Sequence, residues 1–114
     1  GEWIEAPGKE FFETLREKLG KLPILAEDLG VITPEVEELR DMFEFPGMKV
    51  LQFAFGSDPG NPFLPFNFPR NCLVYTGTHD NDTTVGWYES RPDWEKDAIL
   101  RYFGHISPDG IHWD

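Results

Sequence analysis

Cysteine is almost missing from these 114 residues: Cys72 stands alone. No intramolecular disulfide can form from it, and no cysteine-based metal site. Its setting, the apolar run NCLVY, predicts a buried structural thiol. Long apolar runs are missing too, and nothing approaches the roughly 20 residues that span a bilayer. The opening GEWIEAPGKE has neither the charged start nor the apolar core of a secretory signal, so a soluble, cytoplasmic protein is expected. Positive charge is scarce: 10 Lys and Arg stand against 21 Asp and Glu, for a net charge of −11. Phosphate backbones and anionic lipid need a positive surface, so no nucleic-acid or membrane partner is expected. An uncharged ligand such as a carbohydrate suits this balance without being specified by it. Repeats and low-complexity tracts are absent.

The chain does have a regular alternation of elements. Phe12, Leu15 and Leu19 share one face of a helix expected over residues 9–19, which Gly20 can stop. LPILAEDLG reads as a short buried strand, residues 23–26, that ends in Glu27 and Asp28. Thr33 and Pro34 open a second helix as N-cap and first helical residue; Val36, Leu39, Met42 and Phe43 form its apolar stripe, and Pro46-Gly47 ends it. A second strand is expected over residues 48–55, a long Pro/Gly/Asn-rich loop over 56–71, and a third strand over 72–76. GTHDNDTT comes next, and a last helix over Asp93–Phe103 comes after Arg91-Pro92. Strands alternating with helices imply a parallel sheet with right-handed crossovers. The polar clusters come after the strands, and active sites of parallel α/β folds lie at those C-terminal ends. Three strands do not close a barrel, so the chain reads as a slice of a (β/α)8 TIM barrel or as a small open sheet.

Three constellations could carry chemistry. At Glu27-Asp28, a partly desolvated carboxyl at a barrel rim would have a raised pKa and serve as a general acid. The plainer reading is a solvated turn with Asp28 capping backbone. In Thr78-His79-Asp80-Asn81-Asp82, the His-Asp pair could belong to a nucleophilic triad, a metal site or a sugar clamp. No Gly-x-Ser-x-Gly elbow and no calcium-loop spacing is present. A clamp needs only converging donors and acceptors, which His, Asp and Asn supply. Asp82 could equally cap a helix running through residues 84–88. The aromatic residues Phe53, Phe55, Phe63, Phe66, Phe68, Trp87 and Tyr88 are core formers first, although the three in the loop could line a cleft. Two acid clusters allow glycoside chemistry, which pairs a proton donor with a second carboxylate around an oxocarbenium-like transition state.

The segments PILAEDLGVITPEVEELRD, FPGMKVLQFAFG, NPFLPFNF and VYTGTHDNDTTVGWY resemble the amylomaltase or disproportionating-enzyme family, glycoside hydrolase family 77, over nearly the whole chain. The resemblance implies a retaining transfer of α-1,4-glucan segments between maltodextrin, starch or glycogen chains, on an α-amylase-like (β/α)8 barrel, without a cofactor. Carried over by motif, Glu27 is the acid/base residue and Asp80 the transition-state stabiliser. His79 would donate to a sugar hydroxyl beside Asp80, and Phe53 or its neighbours would face the acceptor side. The expected strands become the fifth, sixth and seventh of the barrel. One departure matters: the Arg-x-Asp-His-x-Arg segment that bears the family's nucleophile is absent, and GEWIEAPG resembles the stretch immediately downstream of that segment. Residues 1–114 are therefore expected to be an internal, inactive piece of a catalytic barrel, cytoplasmic or, in a plant, plastidial. A non-catalytic carbohydrate-binding module is the competing reading. Strands cut from a barrel would leave edges at residues 23–26 and 72–76, so self-association is expected, resisted by the negative charge at low salt. The loop 56–71 is the segment expected to rearrange, for want of backbone bonds.

Overall fold

The computed structural model describes residues 1, 2 and 4–104; Trp3, within the GEWIEAPG segment, lies outside the described residues. Among these, four α-helices and two strands occur in the order α1 (Gly8–Leu19), α2 (Pro34–Met42), β1 (Gly47–Val50), β2 (Cys72–Tyr75), α3 (Thr84–Ser90) and α4 (Asp93–Phe103). The two strands pair in one small parallel sheet. The chain forms two compact units, one of Gly1–Met48 with Arg70–Leu73, the other of Lys49–Pro69 with the chain from Val74.

In the first unit, α1 ends where expected. Gly20 takes φ 74° and ψ −156°, a backbone that a Cβ would strain, and its N–H reaches back to the Arg16 carbonyl. Pro34 does begin α2, since the missing N–H of a proline costs nothing at the first helical position. Thr33 occupies the N-cap, but its side chain makes no capping bond. Its hydroxyl bonds the Glu35 carboxylate instead and lowers that group's pKa. The helix stops at Met42, before Pro46-Gly47. Glu44 N–H bonds the Asp41 carbonyl and Phe45 N–H the Arg40 carbonyl, a reversed turn with Glu44 at φ 57°. Glycine is the usual residue at such a position. Phe12, Phe43 and Phe45 pack together with centroids 5.1–5.8 Å apart, and Arg16 lies 5.3 Å over Phe43.

In the second unit, Ala54, Phe55, Leu64, Trp87 and Ile99 form the buried cluster, with Leu51, Phe63, Tyr88 and Tyr102 against it. α3 is capped by Thr83, whose hydroxyl accepts the Gly86 N–H, rather than by Asp82. Asp82 sits one residue too early and takes the Thr83 N–H. α4 runs over Asp93–Phe103 as read from the sequence, and Gly104 closes it at φ 72°.

The strands are where sequence and structure differ. Residues 23–26 form no strand. Pro23 has no N–H to give a ladder, and the Ile24 N–H folds back onto the Leu22 carbonyl. The Ala26 N–H reaches the Pro46 carbonyl at 2.9 Å, beside the start of β1, but Pro46 cannot return a bond. The second strand ends at Val50, not at residue 55, because the chain tightens into a 3-10 turn, Leu51–Phe53, closed by Ala54 N–H to Leu51 carbonyl. Cys72 is half-buried rather than buried, since its strand has a single neighbouring strand and both its faces stay partly open.

The loop is not short of bonds. The Asn61 amide donates to the Phe53 carbonyl and the Ser57 hydroxyl and accepts the Phe63 N–H. The Asn67 amide donates to the Pro59 and Asn61 carbonyls, both at 2.8 Å. Side-chain amides thus satisfy carbonyls that Pro and Gly leave without partners, and the premise for loop rearrangement fails.

Candidate active site

The two acidic clusters share one design: in each, the fold uses one carboxylate and leaves another facing solvent. Asp28 is the structural acid of the first. Its side chain is 6% exposed, accepts the Met48 N–H at 2.7 Å and pairs with Arg40 at 2.5 Å. Burial pushes the Asp28 pKa up, but the Met48 N–H and the Arg40 guanidinium outweigh it and hold the carboxyl below the usual carboxylate range. Arg40 is shared with Asp41, whose hydrogen bond is the largest influence raising the guanidinium pKa; burial opposes it, and Asp28 adds to it. Gly47 completes the arrangement. A Cβ at that position would collide with the Asp28 carboxylate, so only glycine lets the acid reach the start of β1. Asp28 does cap backbone, in keeping with the plainer reading of its motif, but it caps β1 rather than its own turn.

Glu27 is exposed and makes no hydrogen bond or ion pair among the described residues. The partial desolvation expected of it is not supplied by this chain, whose neighbouring Leu25 is itself exposed. The clamp on Asp28 fixes the backbone one residue away and leaves the Glu27 carboxyl accessible.

The second cluster is a compact turn after β2. Thr78 N–H and hydroxyl both donate to Asn81 Oδ1, at 2.8 and 2.9 Å, and the Asn81 N–H returns to the Thr78 carbonyl. The Asp80 N–H leans on the Thr78 hydroxyl at 3.3 Å. On this turn His79 and Asp80 stand out, 90% and 79% exposed, with His79 Nε2 3.2 Å from Asp80 Oδ1. Asn81 is half-buried and takes the Thr78 bonds, while Asp82 is exposed and its carboxylate takes the Thr83 N–H. Donor and acceptor are therefore offered together to solvent, as hydroxyl recognition requires.

Phe53 sits in the 3-10 turn after β1, 41% exposed, edge-on to Phe63 at 5.4 Å. Lys49 Nζ lies 5.2 Å over the Phe63 ring. Phe66 is exposed and stacks on Tyr102. Trp87 is core.

Sequence reasoning passed over Arg40, Gly47, Gln52, Asn61 and Asn67. Gln52 left a signal, a lone amide inside the apolar run MKVLQFAF, whose burial at 8% exposure demands a partner. Arg40 left none, since its position on the helix face says nothing about a carboxylate twelve residues earlier.

The family profile described as 4-alpha-glucanotransferase matches residues 1–114. A 4-alpha-glucanotransferase of Synechocystis is 64% identical over 99% of this chain, and a chloroplastic/amyloplastic one of Solanum tuberosum is 52% identical over 97%. The chain spans only 23% and 19% of the lengths of those two relatives. Among solved structures, the amylomaltase of Streptococcus agalactiae in complex with acarbose is 41% identical, superposes with a TM-score of 0.88 over 95% of this chain, and is covered over 22% of its own length. With all of residues 1–114 matched by the profile, the chain belongs to the 4-alpha-glucanotransferase family, glycoside hydrolase family 77.

Proposed function

We propose that the full-length protein containing residues 1–114 is a retaining 4-α-glucanotransferase that moves α-1,4-glucan segments between maltodextrin, starch or glycogen chains. Glu27 is its acid/base residue, and Asp80 stabilises the transition state. The observation that carries the reading is the division of labour within each acidic cluster. Asp28 and Asp82 are engaged by backbone N–H groups, while Glu27 and Asp80 are left to solvent on turns that the fold holds. Solvent-facing carboxylates on braced turns are what a two-carboxylate glycoside mechanism uses.

In the first step Glu27 gives its proton to the glycosidic oxygen as an aspartate outside this chain attacks the anomeric carbon. In the second, Glu27 takes the proton of an acceptor 4-hydroxyl, and the acceptor oxygen displaces the enzyme carboxylate. Asp80 holds ring hydroxyls through bonds that strengthen as the ring flattens and gains positive charge. His79 donates to a hydroxyl beside it, and the exposed face of Phe53 offers an apolar surface to the acceptor sugar. Residues 1–114 are part of the catalytic barrel domain, with β1 and β2 as its sixth and seventh strands and the non-strand segment 23–26 in the place of the fifth. Lacking the nucleophile segment, the chain alone is inactive. The protein works in the cytoplasm, or in the plastid if its source is a plant, as the name of the Solanum tuberosum relative suggests.

Disproportionation of maltotriose by the full-length protein tests this reading. Glu27→Gln keeps the shape of the side chain and removes its exchangeable proton, and it lowers kcat by about 10²–10⁴-fold. Asp80→Asn also lowers kcat by about 10²-fold or more, with a smaller change in KM. Near-normal turnover of either variant overturns the assignment of that residue. Strong glucan binding by residues 1–114 alone would favour a binding module instead.

A further inference from the structure

We infer that Gln52 is a positioning residue for Asp80: its buried amide fastens the two ends of the turn that carries the catalytic carboxylate. The inference rests on the role of Asp80 proposed above. Gln52 is 8% exposed and lies just past the end of β1. Its backbone N–H donates to the Thr76 carbonyl at 3.2 Å, where β2 gives way to the turn. Its side-chain Nε2 donates to the Asp82 carbonyl at 2.9 Å, where the turn gives way to α3. One residue thus bonds the chain on both sides of Gly77-Thr78-His79-Asp80-Asn81.

Gly77 is what lets the amide through. A Cβ there would lie 2.6 Å from Gln52 Nε2 and 3.4 Å from Asn81 Cβ. The small residue at the turn and the buried amide across from it are therefore one feature. Inside the turn, bonds run among Thr78, Asp80 and Asn81, with His79 Nε2 against Asp80 Oδ1, and these fix its shape but not its place. His79 and Asp80 are too exposed to be oriented by packing. Their placement relative to a substrate depends on where the ends of the turn are held, and Gln52 holds both. A buried amide that loses its acceptor costs about 1–3 kcal/mol, so the arrangement has little freedom to relax while Gln52 remains. Preorganisation of this kind matters because small misplacements of a stabilising group cost rate more than binding.

Two variants of the full-length protein test the inference. Gln52→Met keeps the length and removes the donor; Gln52→Glu keeps the shape and replaces the donor with an acceptor. Both should lower kcat for maltotriose disproportionation about 10- to 100-fold while KM stays within about threefold. Amide hydrogen exchange should quicken across residues 77–82 and not in the core around Ile99. In Gln52→Glu the deficit relative to the unaltered protein should narrow as pH falls, because the protonated carboxyl can again donate to the Asp82 carbonyl. If exchange at 77–82 is unchanged and kcat holds within about twofold, the inference fails. It fails equally if kcat falls only in step with global unfolding, or if acid does not narrow the Gln52→Glu deficit. Asp80→Asn serves as the control: if that variant keeps its turnover, the functional reading has failed, while the exchange data still report on the clamp.

Discussion

The turn at Glu27-Asp28 and the turn from Thr76 to Asp82 each offer solvent a carboxylate that no backbone N–H engages, yet they are braced by different chemistry. The first is held by a charged pair, Asp28 with Arg40, plus the Met48 N–H. The second is held by a neutral amide, Gln52, plus bonds within the turn itself. Both depend on a glycine whose missing Cβ makes room for the bracing side chain, Gly47 in one and Gly77 in the other. A charged brace is strong but conditional: it titrates, and it is costly to break because the partner is left buried and alone. A neutral brace is weaker per bond and indifferent to pH. The comparison also separates two jobs that the sequence runs together. In AEDLG and in THDND, neighbouring acids look interchangeable, but one is committed to the backbone and the other is available to a substrate.

Breaking the charged brace should have the largest effect. Asp28→Ala leaves Arg40 with Asp41 alone and the Met48 N–H without its acceptor, and it should lower the stability of the full-length protein by about 3 kcal/mol. Denaturant unfolding measures it; a loss below about 1 kcal/mol would mean that the pair contributes no more than a surface ion pair. The pH dependence has a definite sign. The folded pKa of Asp28 lies below its unfolded value, so its contribution is complete above the unfolded value, about 3.9, and is lost as pH falls through the lower folded value. Unfolding measured between pH 7 and pH 2 should show this loss in the unaltered protein and not in Asp28→Ala. Hydrogen exchange at residues 77–82 should show no Gln52-dependent step over the same range.

Adding a methyl group at the glycine sharpens the comparison. Gly47→Ala should cost about 1–3 kcal/mol, because the side chain it meets is held by two bonds and cannot swing aside. In an Asp28→Ala background the same substitution should cost much less, so the two effects are not additive. Additive costs would show that Gly47 is needed for something other than room for Asp28. The smallest effect is expected at the turn between Arg40 and Gly47. Glu44 holds a left-handed backbone at φ 57°, so Glu44→Gly should stabilise the protein by up to about 1 kcal/mol. No change in the unfolding midpoint would show that strain there is balanced by the freedom glycine adds to the unfolded chain.

Most of the helices can be read along the chain, and the reason is local. The stop of α1 at Gly20, the start of α2 at Pro34 and the whole of α4 result from backbone preferences that a residue carries with it. The strands are less legible. An apolar run such as PILA meets the description of a strand, but a strand exists only when a neighbour accepts and returns its bonds, and Pro23 and Pro46 prevent that here. The site divides in the same way. Glu27, His79, Asp80 and Phe53 stand out by motif, and all four are at least partly exposed to solvent in the structure.

The sequence by itself determined the helical punctuation, the acidic charge, the two acid clusters and, through its motifs, membership of the 4-alpha-glucanotransferase family. Only the tertiary structure decided which acid in each cluster is bound to backbone. Only it paired Arg40 with Asp28, passed Gln52 across Gly77 to the Asp82 carbonyl, and tied the long loop together through Asn61 and Asn67. The physical reason is range. Caps, turns and helix faces are settled among residues a few positions apart, whereas a buried polar side chain finds its partner wherever the fold brings one within about 3 Å, and no local pattern encodes that meeting.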